Sequence, residues 1–164
     1  CTNLSGNEPN VSPPLAWEGV PEGTKSIALI VDSKEIVDSE RVHWVIWNIP
    51  PDVRELSEGV PNTESLDSGA SQGSNGSGGI GYLGPCPPFI VISQDDAVGS
   101  VGSAGKFDQK QKIEKYTFRI YALDSEIDLA PGATKSDLLR ALDGRVLAGG
   151  ELVGERQGPR MLEK

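Results

Sequence analysis

Histidine occurs once in this chain of 164 residues, methionine once and cysteine twice. A single histidine, His43, excludes multi-histidine metal sites. No Gly-x-Ser-x-Gly turn accompanies it, so a conventional hydrolase triad has little support. Two cysteines, Cys1 and Cys86, cannot alone build a disulfide framework or a zinc site. They are either two separate thiols or partners of each other. Basic residues are also few: 15 Lys and Arg stand against 24 Asp and Glu, for a net charge of −9. That balance disfavours nucleic acid and anionic membrane surfaces as partners. No apolar run approaches the roughly 20 residues needed to cross a bilayer, so no stable membrane insertion is expected. A basic start followed by an apolar middle is missing too. With the chain opening on Cys1, the compartment stays open between cytoplasm and export. The glycine-rich stretches do not end as phosphate loops do. "GSNGSGGIGYLG" lacks Gly-Lys-Ser/Thr, and "GSAGKF" has Phe107 where Ser or Thr belongs. No cofactor is expected.

Strand signals dominate what is present. "SIALIV" (26–31) is a short apolar run, and "VHWVIWNI" (42–49) is aromatic and β-branched. In the second, alternation puts His43, Val45 and Trp47 on one face and Trp44 and Ile46 on the other. "YTFRIYAL" (116–123) carries large side chains on both faces, as a strand covered on both sides does. "RVLAGGELVGER" (145–156) reads as a last strand with a glycine bend or bulge. The clear helix is "TKSDLLRALDG" (134–144), with Ser136 as cap, Leu138, Leu139 and Leu142 as apolar stripe and Gly144 as stop. Residues 7–24, 60–79 and 93–112 are turn-rich or nearly free of apolar side chains and read as loops. No repeat or linker separates two cores. The expectation is a single domain over 1–164: mainly β, an antiparallel β-sandwich of two sheets with a short C-terminal helix.

Two places carry candidate chemistry. Asp32 closes the strand "IALIVD", where a carboxylate beside a loop is well placed to bind. "GYLGPCPP" (81–88) combines glycines and prolines into a segment that is neither helix nor regular strand. Such a segment is either a surface turn or a stiff wall.

Read in order, "NVSPPLAWEGV", "HWVIWNIP" and "GYLGPCPP" resemble the phosphatidylethanolamine-binding protein family, in its prokaryotic, Raf kinase inhibitor-like branch. The resemblance runs from about Asn10 to Glu155. It implies a two-sheet sandwich with a small pocket at one edge for phosphate, acetate or a phospholipid headgroup. It also implies site residues. Asp32 matches the first acid of the Asp-Pro-Asp-x-Pro motif, and His43 matches the pocket histidine. Gly84, Pro85, Cys86, Pro87 and Pro88 match the wall, and Tyr116 matches the tyrosine of His-Arg-Tyr. These groups are expected to converge on one cavity. The chain departs from the pattern in three places. Lys34 replaces the second acid, Glu114 replaces a second pocket histidine, and a long inserted loop over 89–115 leaves from the wall. A cysteine ahead of Ser-Pro-Pro in related sequences resembles Cys1. A Cys1–Cys86 bond would require Cα atoms about 4.4–6.8 Å apart.

Three functions follow from this reading. The first is a binding module for a small anion or headgroup. The second is an inhibitor of a kinase or protease that meets its protein partner through the long loop. The third is a hydrolase or transferase using Asp32, His43 and Cys86. The resemblance favours binding over turnover, so an enzyme is the weakest of the three.

Overall fold

The fold is that of a computed structural model, which describes residues 10–34, 40–84 and 113–157. In chain order the elements are β1 (Leu15–Ala16), β2 (Ser26–Lys34), β3 (Glu40–Ile49), β4 (Glu55–Leu56), β5 (Ser71–Gln72), β6 (Ile113–Leu123), α1 (Lys135–Leu142) and β7 (Val146–Gln157). One antiparallel sheet has the order β5-β3-β2-β6-β7, and β1 pairs with β4 in a second, two-stranded sheet. The expected mainly β architecture with one short late helix is therefore present.

Strand β2 is central, flanked by β3 and β6. Both its faces are covered, so its sequence is a continuous apolar run rather than an alternation. Ile27, Leu29 and Val31 pack with Trp44, Ile46 and Ile49 on one face, under Leu15, Trp17, Val53 and Leu56 from the smaller sheet and its loops. Ala28 and Ile30 pack with Val45, Trp47 and Leu123 on the other face, under Leu138 and Leu142 of α1. The expected alternation of Val45 and Trp47 against Trp44 and Ile46 holds. That of His43 does not, as described below.

The helix cap is Thr134, not Ser136. Asp137 donates its backbone N–H to the Thr134 hydroxyl at 3.2 Å, and its carboxylate accepts from the Thr134 N–H at 2.9 Å. This reciprocal pair satisfies two of the donors that a helix start leaves open. Leu138 and Leu142 are buried as expected, whereas Leu139 is largely exposed. Thr134→Ala is expected to cost about 1 kcal/mol in urea unfolding, and Ser136→Ala close to nothing. The backbone N–H and then the hydroxyl of Thr134 hold the Asp137 carboxyl below its ordinary value, with Arg140 adding to the effect. A lowered folded-state value stabilises above the unfolded one. The cap's contribution is therefore present above about pH 3.8 and lost as pH falls through the lowered value. Helix signal followed by circular dichroism across that range checks it.

A bulge does occur in β7, but not at its glycines. Ala122 lies opposite Ala148 and Leu123 opposite Val146, so Leu147 is the extra residue. Gly149 and Gly150 pair regularly with Tyr121 and Ile120.

Candidate functional site

The ladder between β2 and β3 slips at two points, between Ile27 and Leu29 and again between Val31 and Asp32, and the second slip shapes the site. Val31 lies opposite Trp44, but Asp32 lies opposite Val42, so His43 has no partner on β2. A regular ladder would have paired Asp32 with His43 on the face of Ile30 and Val45. The bulge turns His43 over instead. Its ring meets Tyr116 at a centroid distance of 5.0 Å and an angle of 65°, an edge-on contact. Its Nε2 lies 2.8 Å from the Ser33 hydroxyl and its Nδ1 lies 2.7 Å from the Leu83 carbonyl. Ser33 and Tyr116 are a β2–β6 pair on the face of Val31 and Phe118. His43 therefore belongs to that face, and it is 1% exposed.

The hydrogen bonds define the imidazole's tautomer. A carbonyl only accepts, so Nδ1 carries the proton toward Leu83. In the neutral ring, Nε2 is then the acceptor for the Ser33 hydroxyl. Leu83 also donates its backbone N–H to the His43 carbonyl at 2.7 Å, gripping the histidine from both sides.

Asp32 serves the opposite face. Its Oδ2 accepts from Lys135 Nζ of α1 at 2.7 Å and from Arg119 of β6 at 2.8 Å. Lys135 also pairs with Glu40, and Arg119 with Glu151 at 3.1 Å. Burial would lower the Lys135 ammonium, but hydrogen bonds to Asp32 and Glu40 outweigh it and hold it above its ordinary value. Of the residues expected to meet at one site, the structure brings together His43, Tyr116 and the stretch leading to Gly84. Asp32 is not among them. Pro85, Cys86, Pro87, Pro88 and Cys1 lie outside the described residues, as do the side chain of Glu114 and the inserted loop up to residue 112.

Asparagine side chains pin residues 81–84 through hydrogen bonds to their backbone. Tyr82 donates its N–H to Asn62 Oδ1 at 3.0 Å, and its carbonyl accepts from Asn10 at 2.6 Å and Asn62 at 3.2 Å. Gly84 donates its N–H to Asn10 Oδ1. Asn75 holds the turn before it, accepting from the N–H groups of Ser77 and Gly79 and donating to the Gly81 carbonyl at 3.0 Å. Gly81 has φ 84°, and a Cβ there would fall 2.5 Å from Asn62 Oδ1, so only glycine fits.

Sequence reasoning missed Ser33, the Leu83 carbonyl and these asparagines. Simple alternation along β2 could have placed Ser33 with Val31. Nothing in the sequence marks the bulge. Among the described residues, no three His, Cys, Asp or Glu side chains gather as a metal site.

An apolar cleft of about 270 Å³ opens elsewhere, between β1 and its following turn and the β6–β7 pair. Leu15, Trp17, Val20, Phe118, Ile120 and Leu152 line it, with Glu18 and Glu151 at its rim. Its lining holds no nucleophile or base beyond those two carboxylates.

The comparisons with known proteins agree with this architecture. Residues 1–90 match the family model described as phosphatidylethanolamine-binding protein. A UPF0098 protein of Methanothermobacter thermautotrophicus is 43% identical over 88% of this chain and 82% of its own length. The crystal structure of the phosphatidylethanolamine-binding protein homologue CT736 of Chlamydia trachomatis superposes with TM-score 0.69 and 32% identity, over 91% of this chain and 82% of that one. Escherichia coli YbcL, described as a member of the mammalian family, superposes with TM-score 0.73 and 27% identity, over 96% and 87% of the two chains. By sequence and by fold, the chain belongs to the phosphatidylethanolamine-binding protein family.

Proposed function

We propose that the His43 end of the sandwich binds a small anion, inorganic phosphate or a phosphorylated headgroup, with Ser33, His43 and Tyr116 as its polar contacts. The observation that carries this reading is the turn of Asp32 to the far face, where Lys135 and Arg119 neutralise it. The acid adjacent to Ser33 on β2 therefore does not oppose an anion beside His43. Ser33 takes the place the family's first acid was expected to fill, and exchanges a repelling carboxylate for a hydroxyl.

The Ser33–His43 pair also supplies a mechanism. In the neutral pair the hydroxyl donates to Nε2 and offers an anion only lone pairs. When the ring is protonated, Nε2–H donates to Ser33 Oγ and the hydroxyl proton turns outward to the ligand. The charge itself attracts the anion as well. The asparagine-pinned wall lowers the ordering cost of binding.

Phosphate titrations by calorimetry at several pH values, corrected for phosphate's own ionisation, test this. Affinity is expected to fall as pH rises through the histidine's titration in the complex. His43→Ala should abolish that dependence and weaken binding about tenfold or more, and Tyr116→Phe should weaken it without removing the dependence. A His43→Ala protein with unchanged affinity and pH profile would overturn the assignment.

A further inference from the structure

We propose that Ser33 and His43 also act as a nucleophile and general base, giving the protein a slow acyl-transfer activity toward small carboxylic esters. The inference goes beyond anion binding and does not depend on it.

Three features point the same way. The hydroxyl lies 2.8 Å from Nε2, within the reach a general base needs. The Leu83 carbonyl at 2.7 Å holds the proton on Nδ1, the part usually played by the third member of a triad. The bulge that aims the ring is a device over-represented beside active sites, where it re-aims a side chain.

The step balances without an external co-reactant beyond water. Ser33 Oγ forms a bond to the ester carbonyl carbon as its proton passes to Nε2. The carbon–alkoxide bond then breaks, and the departing oxygen takes that proton, leaving an acyl-serine. Water repeats the sequence, giving up a proton to Nε2, and the released serine oxygen recovers it. A neutral carbonyl behind the imidazole steadies its orientation but stabilises its positive charge less than a carboxylate does. Turnover is therefore expected to be slow and labelling more informative than rate.

The probe is a small fluorophosphonate, from which a serine oxygen displaces fluoride. The full chain is incubated with it at neutral pH and analysed by peptide mass spectrometry. We expect one adduct per chain on Ser33. It should be lost in Ser33→Ala and in heat-denatured protein, and formed at least about 10²-fold more slowly in His43→Gln. No adduct on the native chain, an adduct elsewhere, or an equal rate in His43→Gln would each overturn the proposal. The native chain alone decides the first two, so failure of a variant to fold leaves the test intact. Phosphate binding without labelling would sink the nucleophile and spare the anion site.

Discussion

Asp32→Ala is expected to destabilise the fold by about 2–3 kcal/mol while leaving phosphate affinity of the folded protein nearly unchanged. The carboxylate is 5% exposed and Lys135 is 13% exposed, so removing the acid leaves a partly buried ammonium that, among the described residues, keeps Glu40 as its partner. Arg119 is a third exposed and still holds Glu151, so its share of the loss is small. Replacing both charges, as in Asp32→Leu with Lys135→Met, should recover much of the loss, because an apolar pair no longer carries the desolvation cost. Urea unfolding of Asp32→Leu, Lys135→Met and the double closes the cycle. Equal stability of Asp32→Ala and the parent would mean that the pair does not form. The pH dependence follows from the raised lysine. Its contribution is complete below about pH 10.5 and disappears only as pH climbs through the raised value, so neutral and mildly acidic conditions do not titrate it away.

Gln72→Leu is expected to cost roughly 2–3 kcal/mol, through unpaired groups rather than lost volume. The side chain is fully buried. Its Oε1 accepts from the Trp44 indole N–H at 2.7 Å, and its amide donates to the carbonyls of Pro61 and Thr63, each at 2.7 Å. Leucine is of similar size but leaves the Trp44 indole N–H and the Thr63 carbonyl without this partner, while the Pro61 carbonyl keeps the Thr63 N–H at 2.9 Å. Loosening the 61–63 segment should also reach the site. Asn62 within it anchors Tyr82, next to the Leu83 carbonyl that orients His43. Chemical denaturation measures the first effect, and amide hydrogen exchange over residues 72–84 measures the second. A stability loss below about 1 kcal/mol would show that the buried amide is not the clasp its geometry describes.

Secondary structure and family were legible in the residues themselves. Apolar runs such as Ser26–Val31 and the aromatic stretch 42–49 are strands because their side chains need cover on both faces, and the chain's own periodicity says so. The motifs around His43 and Gly84 carried the family. What the chain did not show was which face each site residue serves. Side chains alternate with a period of two, so one extra residue in one strand reverses the outcome. His43 is that residue. A ladder without the bulge would have set it against Asp32, and the tertiary register sets it against Ser33 and Tyr116 instead. The partners of Asp32 were equally hidden, since Lys135 stands 103 positions away on a helix that only packing brings to β2. The cap at Thr134 and the bulge at Leu147 each fell within a few residues of the expected place, because local chemistry narrows such features to a neighbourhood. Hydrogen-bond partners across strands depend on how the whole sheet aligns. Local sequence carries propensity and period, while register is a sum over every contact in the sheet, and the site of this protein is built on register.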